Sequence, residues 1–154
     1  RQIAFEGQVS DMSTLPWPDM TFDAALSTAT LHHQLRAGIV QTVAEVRRVL
    51  KPGGLLQVDF PCTDSLDYRV HQDQVAVGQV TEVEPPTFVD QRPEIDEKSD
   101  SFLPHHYCDE ADVRDLLRPF DILKLWPAMR EAVVQGASGM VGKWIVWARK
   151  PLSD

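Results

Sequence analysis

Phe22-Asp23-Ala24-Ala25-Leu26-Ser27 and Leu55-Leu56-Gln57-Val58-Asp59-Phe60 bracket the stretch whose reading decides the fold. The first is a short, nearly continuous apolar run, the pattern of a strand covered on both faces in a parallel sheet. Between the two, Ile39, Val43, Val46 and Leu50 recur at helical spacing. Arg47, Arg48 and Lys51 sit at the end of that helix, where positive charge suits the dipole. Pro52-Gly53-Gly54 stops it, and the second apolar run begins at once. A strand, a helix and a strand with tight joints make the repeating unit of a parallel α/β sheet.

Outward from this unit the chain stays readable on both sides. Upstream, Ile3 to Val9 predicts a short strand, followed by a polar loop from Ser10 to Thr14 and a turn at Leu15-Pro16-Trp17-Pro18-Asp19. Downstream, residues 61–104 are polar and proline-bearing, with an acidic run from Glu94 to Asp100. Val75, Val77, Val80 and Val83 predict a short strand or hairpin there. A segment this long without clear elements is usually functional or mobile. Asp109 is a helix cap, with Glu110 and Asp112 in the first turn. Val113, Leu116, Leu117 and Phe120 form one apolar face, and Pro119 ends the helix. A strand over 122–126 closes at Pro127, Gly136, Gly139 and Gly142 read as a flexible loop, and 143–149 is the final strand.

The bulk properties narrow the partners. The 154 residues suit one domain, with 61–104 as a lid or substrate-side insertion, and 43% hydrophobic content is enough for a core. A net charge of -8 disfavours nucleic acid and fits a small-molecule substrate better. Two cysteines, Cys62 and Cys108, are too few for a disulfide framework, so a cytoplasmic location is expected. No run reaches the roughly 18 apolar residues of a membrane helix, and no membrane partner is expected. The opening Arg1-Gln2-Ile3-Ala4-Phe5-Glu6 reads like the middle of a protein.

The order and spacing of three motifs carry a resemblance. Asp11-Met12-Ser13-Thr14-Leu15-Pro16-Trp17-Pro18-Asp19-Met20-Thr21-Phe22-Asp23, then Leu31-His32-His33, then Glu45-Val46-Arg47-Arg48-Val49-Leu50-Lys51-Pro52-Gly53-Gly54 resemble the later half of a class I S-adenosylmethionine-dependent methyltransferase. The nearest flavour is the group of ubiquinone and menaquinone biosynthesis methyltransferases. The resemblance implies a partial Rossmann-like α/β sheet, mostly parallel, with an antiparallel final strand. It implies S-adenosylmethionine as cofactor, with Asp11 accepting from the adenine amino group and Met12 offering its backbone N–H to the ring. Ser27 and Thr28 would line the methionine half, and His106 and Tyr107 would touch substrate. The family's first two strand–helix units and glycine-rich turn, on the order of 60 residues, have no counterpart in the sequence. Their absence predicts weak cofactor binding and little activity by this chain alone. It also predicts that the 22–27 strand is a sheet edge, covered either by residues 3–9 or in a homodimer.

Several residues admit two readings. Asp11 is also a good turn-former toward Ser13 or Thr14. His32 and His33 are a candidate catalytic base pair; in the alternative, one packs under the next helix and alignment of the reactants does the work. His105-His106-Tyr107-Cys108 matches no common zinc spacing, so no metal is expected. Cys62 has no identifiable activating partner and reads as a small buried residue. Trp126, Trp144 and Trp147 read as core or interface aromatics. At the level of function, a small-molecule methyltransferase fragment stands against a degenerate, non-catalytic binding or assembly module. A nicotinamide-dependent oxidoreductase on a related sheet is a third, weaker reading.

Overall fold

A computed structural model describes residues 6–90 and 102–153. In chain order the elements are β1 (Phe22–Ser27), α1 (Arg36–Val49), β2 (Leu50–Pro61), α2 (Leu66–Ala76), β3 (Val80–Glu84), β4 (Thr87–Asp90), β5 (His105–His106), α3 (Glu110–Leu116), β6 (Asp121–Val134) and β7 (Ala137–Arg149). They form a four-stranded sheet ordered β1-β2-β7-β6 and a three-stranded sheet ordered β3-β4-β5. β1 and β2 are parallel neighbours with α1 connecting them, as expected. β7 runs antiparallel to both β2 and β6, so three strands share one direction and the final strand opposes them.

The joint between α1 and β2 depends on two glycines for different reasons. Leu50 already has extended backbone, and its N–H still bonds to Val46 O, so the helix ends one residue earlier than its apolar spacing suggests. Gly53 adopts φ +78°, which L side chains rarely take. A Cβ at Gly54 would lie 2.8 Å from Lys51 O and 3.2 Å from Asp23 O, so only glycine lets β1 and β2 come this close. The residues from 51 to 54 form an irregularity in the ladder, which resumes at Ala24–Leu55.

One face of the main sheet is dry. Ile39 and Val43 of α1, Val113, Leu116 and Leu117 around α3, and Leu56, Val58, Phe60, Val146 and Ala148 of the strands form one buried cluster. The α3 cap forms as expected, with Asp109 Oδ1 accepting from Asp112 N at 2.8 Å. On the other face, Leu26 is 71% exposed and Trp147 45%. The expectation of a β1 strand covered on both sides is therefore corrected: α1 and α3 both pack on the same face. Among the described residues β1 pairs only with β2, so it is an edge. Residues 6–9 form no strand, which overturns the expected pairing for that part; residues 3–5 lie outside the described residues.

Two proline and glycine readings are corrected. Pro127 does not close a strand, because β6 continues through it to Val134. Among the described residues β6 has β7 as its sole ladder partner, and an edge strand tolerates a residue with no N–H to donate. The glycine series is not a loop. Gly136 (φ +85°) forms a tight turn with Gln135 (φ 50°), the two left-handed positions of a two-residue hairpin. Gly139 and Gly142 lie within β7, where a Cβ on Gly142 would collide with Met129 Sδ.

The 61–104 segment contains α2 and the β3–β4 hairpin, so the Val80–Val83 expectation holds while Val75 lies in the helix. Residues 91–101, including the acidic run, lie outside the described residues. Val80, Phe88 and Tyr107 make a small second core with Tyr68 and Val75. Glu84 of β3 accepts from Arg36 N, placing a carboxylate at the start of α1, where its dipole favours negative charge.

Replacing the fully buried Phe60 by Ala should destabilise the chain by about 3–5 kcal/mol in urea unfolding, whereas Leu26→Ala should stay within about 0.5 kcal/mol.

Candidate functional site

A cleft of about 450 Å³ opens beyond the ends of β1 and β2, lined by Ala29, His32, Asp59, Pro61, Asp67 and, from the β6–β7 hairpin, residues including Met129 and Lys143. Ligand sites of open α/β sheets lie at this carboxyl edge of the strands. The chain makes the edge by turning sharply after β1, where Ala29 adopts φ 49°. A non-glycine residue holds that conformation only when its surroundings enforce it.

The enforcing group is Asp59. Its side chain is 2% exposed, and Oδ1 accepts from Ala29 N at 2.7 Å. Oδ2 takes a short hydrogen bond from Lys143 Nζ. One buried carboxylate thus joins the turn after β1, strand β2 and strand β7. Nothing in the apolar run containing Asp59 announced this role; a lone carboxylate inside a buried strand was the available signal.

His32 follows three residues after Ala29 and is 8% exposed. Burial, and secondarily the neighbouring His33, His105 and Lys143, pull its pKa down to about 3. The ring is therefore neutral near pH 7 and a weak base. The lowered pKa of His32 goes with its packed position. The His32 and His33 ring centroids lie 4.1 Å apart, and His105 sits 4.4 Å from His33.

The Asp11 loop is fastened to α1. Asp11 Oδ1 accepts from Ser13 N at 2.8 Å and from Ser13 Oγ at 2.7 Å, which is the turn-forming reading. These bonds also hold the exposed Asp11 carboxyl below its usual pKa. Gln34 Nε2 lies 3.3 Å from Met12 Sδ, and Gln41 Nε2 donates to Ser13 O at 3.2 Å. Glu45 accepts from Leu15 N at 2.8 Å and pairs with Arg48, which donates to Trp17 O at 2.8 Å and Leu15 O at 3.0 Å. Arg48 and then the Leu15 N–H hold Glu45 at a pKa of about 2. Ser27 is half-buried at the end of β1, and Thr28 is exposed beside it.

His106 and Tyr107, expected on the substrate, are 1% and 2% exposed. Neither lines the cleft. His106 Nδ1 bonds Thr87 Oγ1 at 2.7 Å and Tyr107 OH bonds His71 Nδ1 at 3.0 Å. They serve the packing of the second sheet, because β5 pairs with β4 and draws both rings inward. Cys62 and Cys108 are buried, and burial raises both thiol pKa values, which fits the inert reading. Trp144 packs against the main core and donates to Cys108 O at 3.0 Å.

Lys143→Met should cost about 1–3 kcal/mol, because it leaves a buried carboxylate short of a donor. Adding Asp59→Asn to Lys143→Met should recover part of that loss in a double-mutant cycle measured by urea unfolding.

Comparison with known proteins gives the same architecture. Residues 1–58 match a family model described as a methyltransferase domain. An uncharacterized 37.1 kDa protein in transposon TN4556 of Streptomyces fradiae is 43% identical over 63 residues, which is 41% of this chain and 18% of that protein. A SAM-dependent methyltransferase structure from Methanosarcina mazei superposes with TM-score 0.69 at 23% identity, over 95% of this chain and 67% of its own. The 1,6-didemethyltoxoflavin-N1-methyltransferase of Burkholderia thailandensis, solved with 1,6-didemethyltoxoflavin and S-adenosylhomocysteine, superposes with TM-score 0.56 at 18% identity, over 91% of this chain and 48% of its own. The chain thus spans under a fifth of the curated relative and 67% and 48% of these two structures. Parallel β1 and β2 around α1 and the antiparallel β7 give the chain the fold of these S-adenosylmethionine-dependent methyltransferase structures, and its first 58 residues match a methyltransferase-domain model.

Proposed function

We propose that this chain supplies the acceptor side and part of the cofactor side of a methyltransferase that moves a methyl group from S-adenosylmethionine to a small molecule. The observation that carries the reading is the cleft at the carboxyl ends of β1 and β2, walled by Ala29, His32, Asp59 and Lys143. The residues fit the cofactor in chemical kind. Asp11 offers an exposed carboxylate to an exocyclic amine, Met12 a backbone N–H in a fastened loop, and Ser27 and Thr28 polar groups at the strand end.

When bound, the cofactor supplies an electrophilic methyl group on sulfur. The chain's own work is orientation and exclusion of water. Asp59 fixes the turn that carries His32, and the Glu45–Arg48 pair fixes the loop that carries Asp11. Acceptor choice falls to the cleft wall and to the 61–104 insertion, which is the proposed lid.

Two measurements test this. Isothermal titration with S-adenosylhomocysteine should give weak but saturable heat, reduced by about 10-fold or more in Asp11→Ala through loss of a charged hydrogen bond. Neither heat nor thermal shift at millimolar ligand would instead favour a non-catalytic module. Arg48→Ala should speed proteolytic cleavage within residues 11–19 while circular dichroism keeps the sheet signal; unchanged cleavage would remove Arg48 from its fastening role.

A further inference from the structure

Three histidines from two distant segments meet beside the cleft. His32 and His33 come from the loop after β1, and His105 opens β5. One ring nitrogen from each lies within 4.8 Å of the others. The rings are fanned, with interplanar angles of 40° between His32 and His33 and 88° between His33 and His105. We propose that these residues form a binding site for a divalent transition-metal ion of the zinc class, with a fourth position open to water or a ligand in the cleft.

The spacing suits such an ion. Tetrahedral coordination at about 2.0–2.1 Å sets donor nitrogens about 3.3–3.4 Å apart, so small rotamer changes close the set. Imidazole is a preferred ligand for zinc, copper, iron and nickel and a poor one for magnesium or calcium. Orientation is in place for one ligand: His105 Nδ1 bonds Leu103 O at 3.0 Å, which puts the proton on Nδ1 and leaves Nε2 as donor. A buried vacancy in hydrogen bonding marks another: His32 Nδ1 is inaccessible to solvent and has no hydrogen-bond partner among the described residues. The backbone fixes the two segments against each other, since His106 N donates to His32 O at 2.9 Å. His32 also lines the cleft, which gives the ion an entry path. Linear spacing hid the set, because His105 lies more than seventy positions from His33 and the adjacent His106 faces Thr87 instead.

This site stands independently of the methyltransferase reading. The test is titration of the untagged full chain with cobalt(II), read by visible absorption, then displacement by zinc(II). One equivalent of cobalt should develop tetrahedral d–d bands that zinc removes. His33→Gln and His105→Gln should each weaken binding by more than about 10-fold, while His71→Gln, a neighbour outside the set, should leave it unchanged. A folded wild-type chain that gives neither cobalt bands nor heat with zinc overturns the assignment. So does equal binding by the folded His33→Gln or His105→Gln chain, or an equal loss in His71→Gln. Circular dichroism identifies any variant that fails to fold, and the wild-type titration and the remaining variant then decide.

Discussion

The site rests on one buried carboxylate. Asp59 lies within an otherwise apolar strand, and charge in such a place is costly unless paired. Here it is paired twice, by the Ala29 N–H and by Lys143. The pairing offsets the left-handed backbone at Ala29 and draws β7 toward the end of β2. The Ala29 N–H bond ties the turn after β1 to strand β2. The position of His32, and with it one wall of the cleft, follows from that turn.

A second constraint works on the opposite flank of α1. The loop from Asp11 to Asp19 starts with its own turn, where Thr14 N donates to Asp11 O at 3.2 Å, and its further carbonyls and N–H groups are taken up by Gln41, Glu45 and Arg48. The helix between β1 and β2 therefore does more than cross over. Its buried stripe fills the core, and its polar stripe holds the loop that the cofactor reading depends on. Ile39 and Val43 belong to the first stripe and Gln41, Glu45 and Arg48 to the second.

The β1–α1–β2 unit was legible because each of its signals is local. Helical spacing and apolar strands each act within a few residues, and the observed parallel pairing agrees with them, although the helix ends at Val49, ahead of the Pro-Gly-Gly turn. Pro127 and the glycines near 140 were misread for the opposite reason. A proline is tolerated in a strand only if that strand is an edge, and a glycine is required in a strand only if a neighbour presses on it. Both conditions belong to the sheet order and not to the residue. The surroundings of His106 and Tyr107 were illegible on the same ground: pairing of β5 with β4 sets His106 against Thr87, and Tyr107 packs in the second core.

The sequence by itself determined the order β1–α1–β2, the α3 cap and the chemical kind of each candidate side chain, since these follow from local propensity and pattern. Tertiary structure alone decided that Leu26 and Trp147 of the sheet stay exposed, that Asp59 meets Lys143 across 84 positions, and that His105 joins His32 and His33. Those outcomes depend on which strands become neighbours. That choice is made by burial summed over the whole chain, a quantity no short stretch of residues encodes.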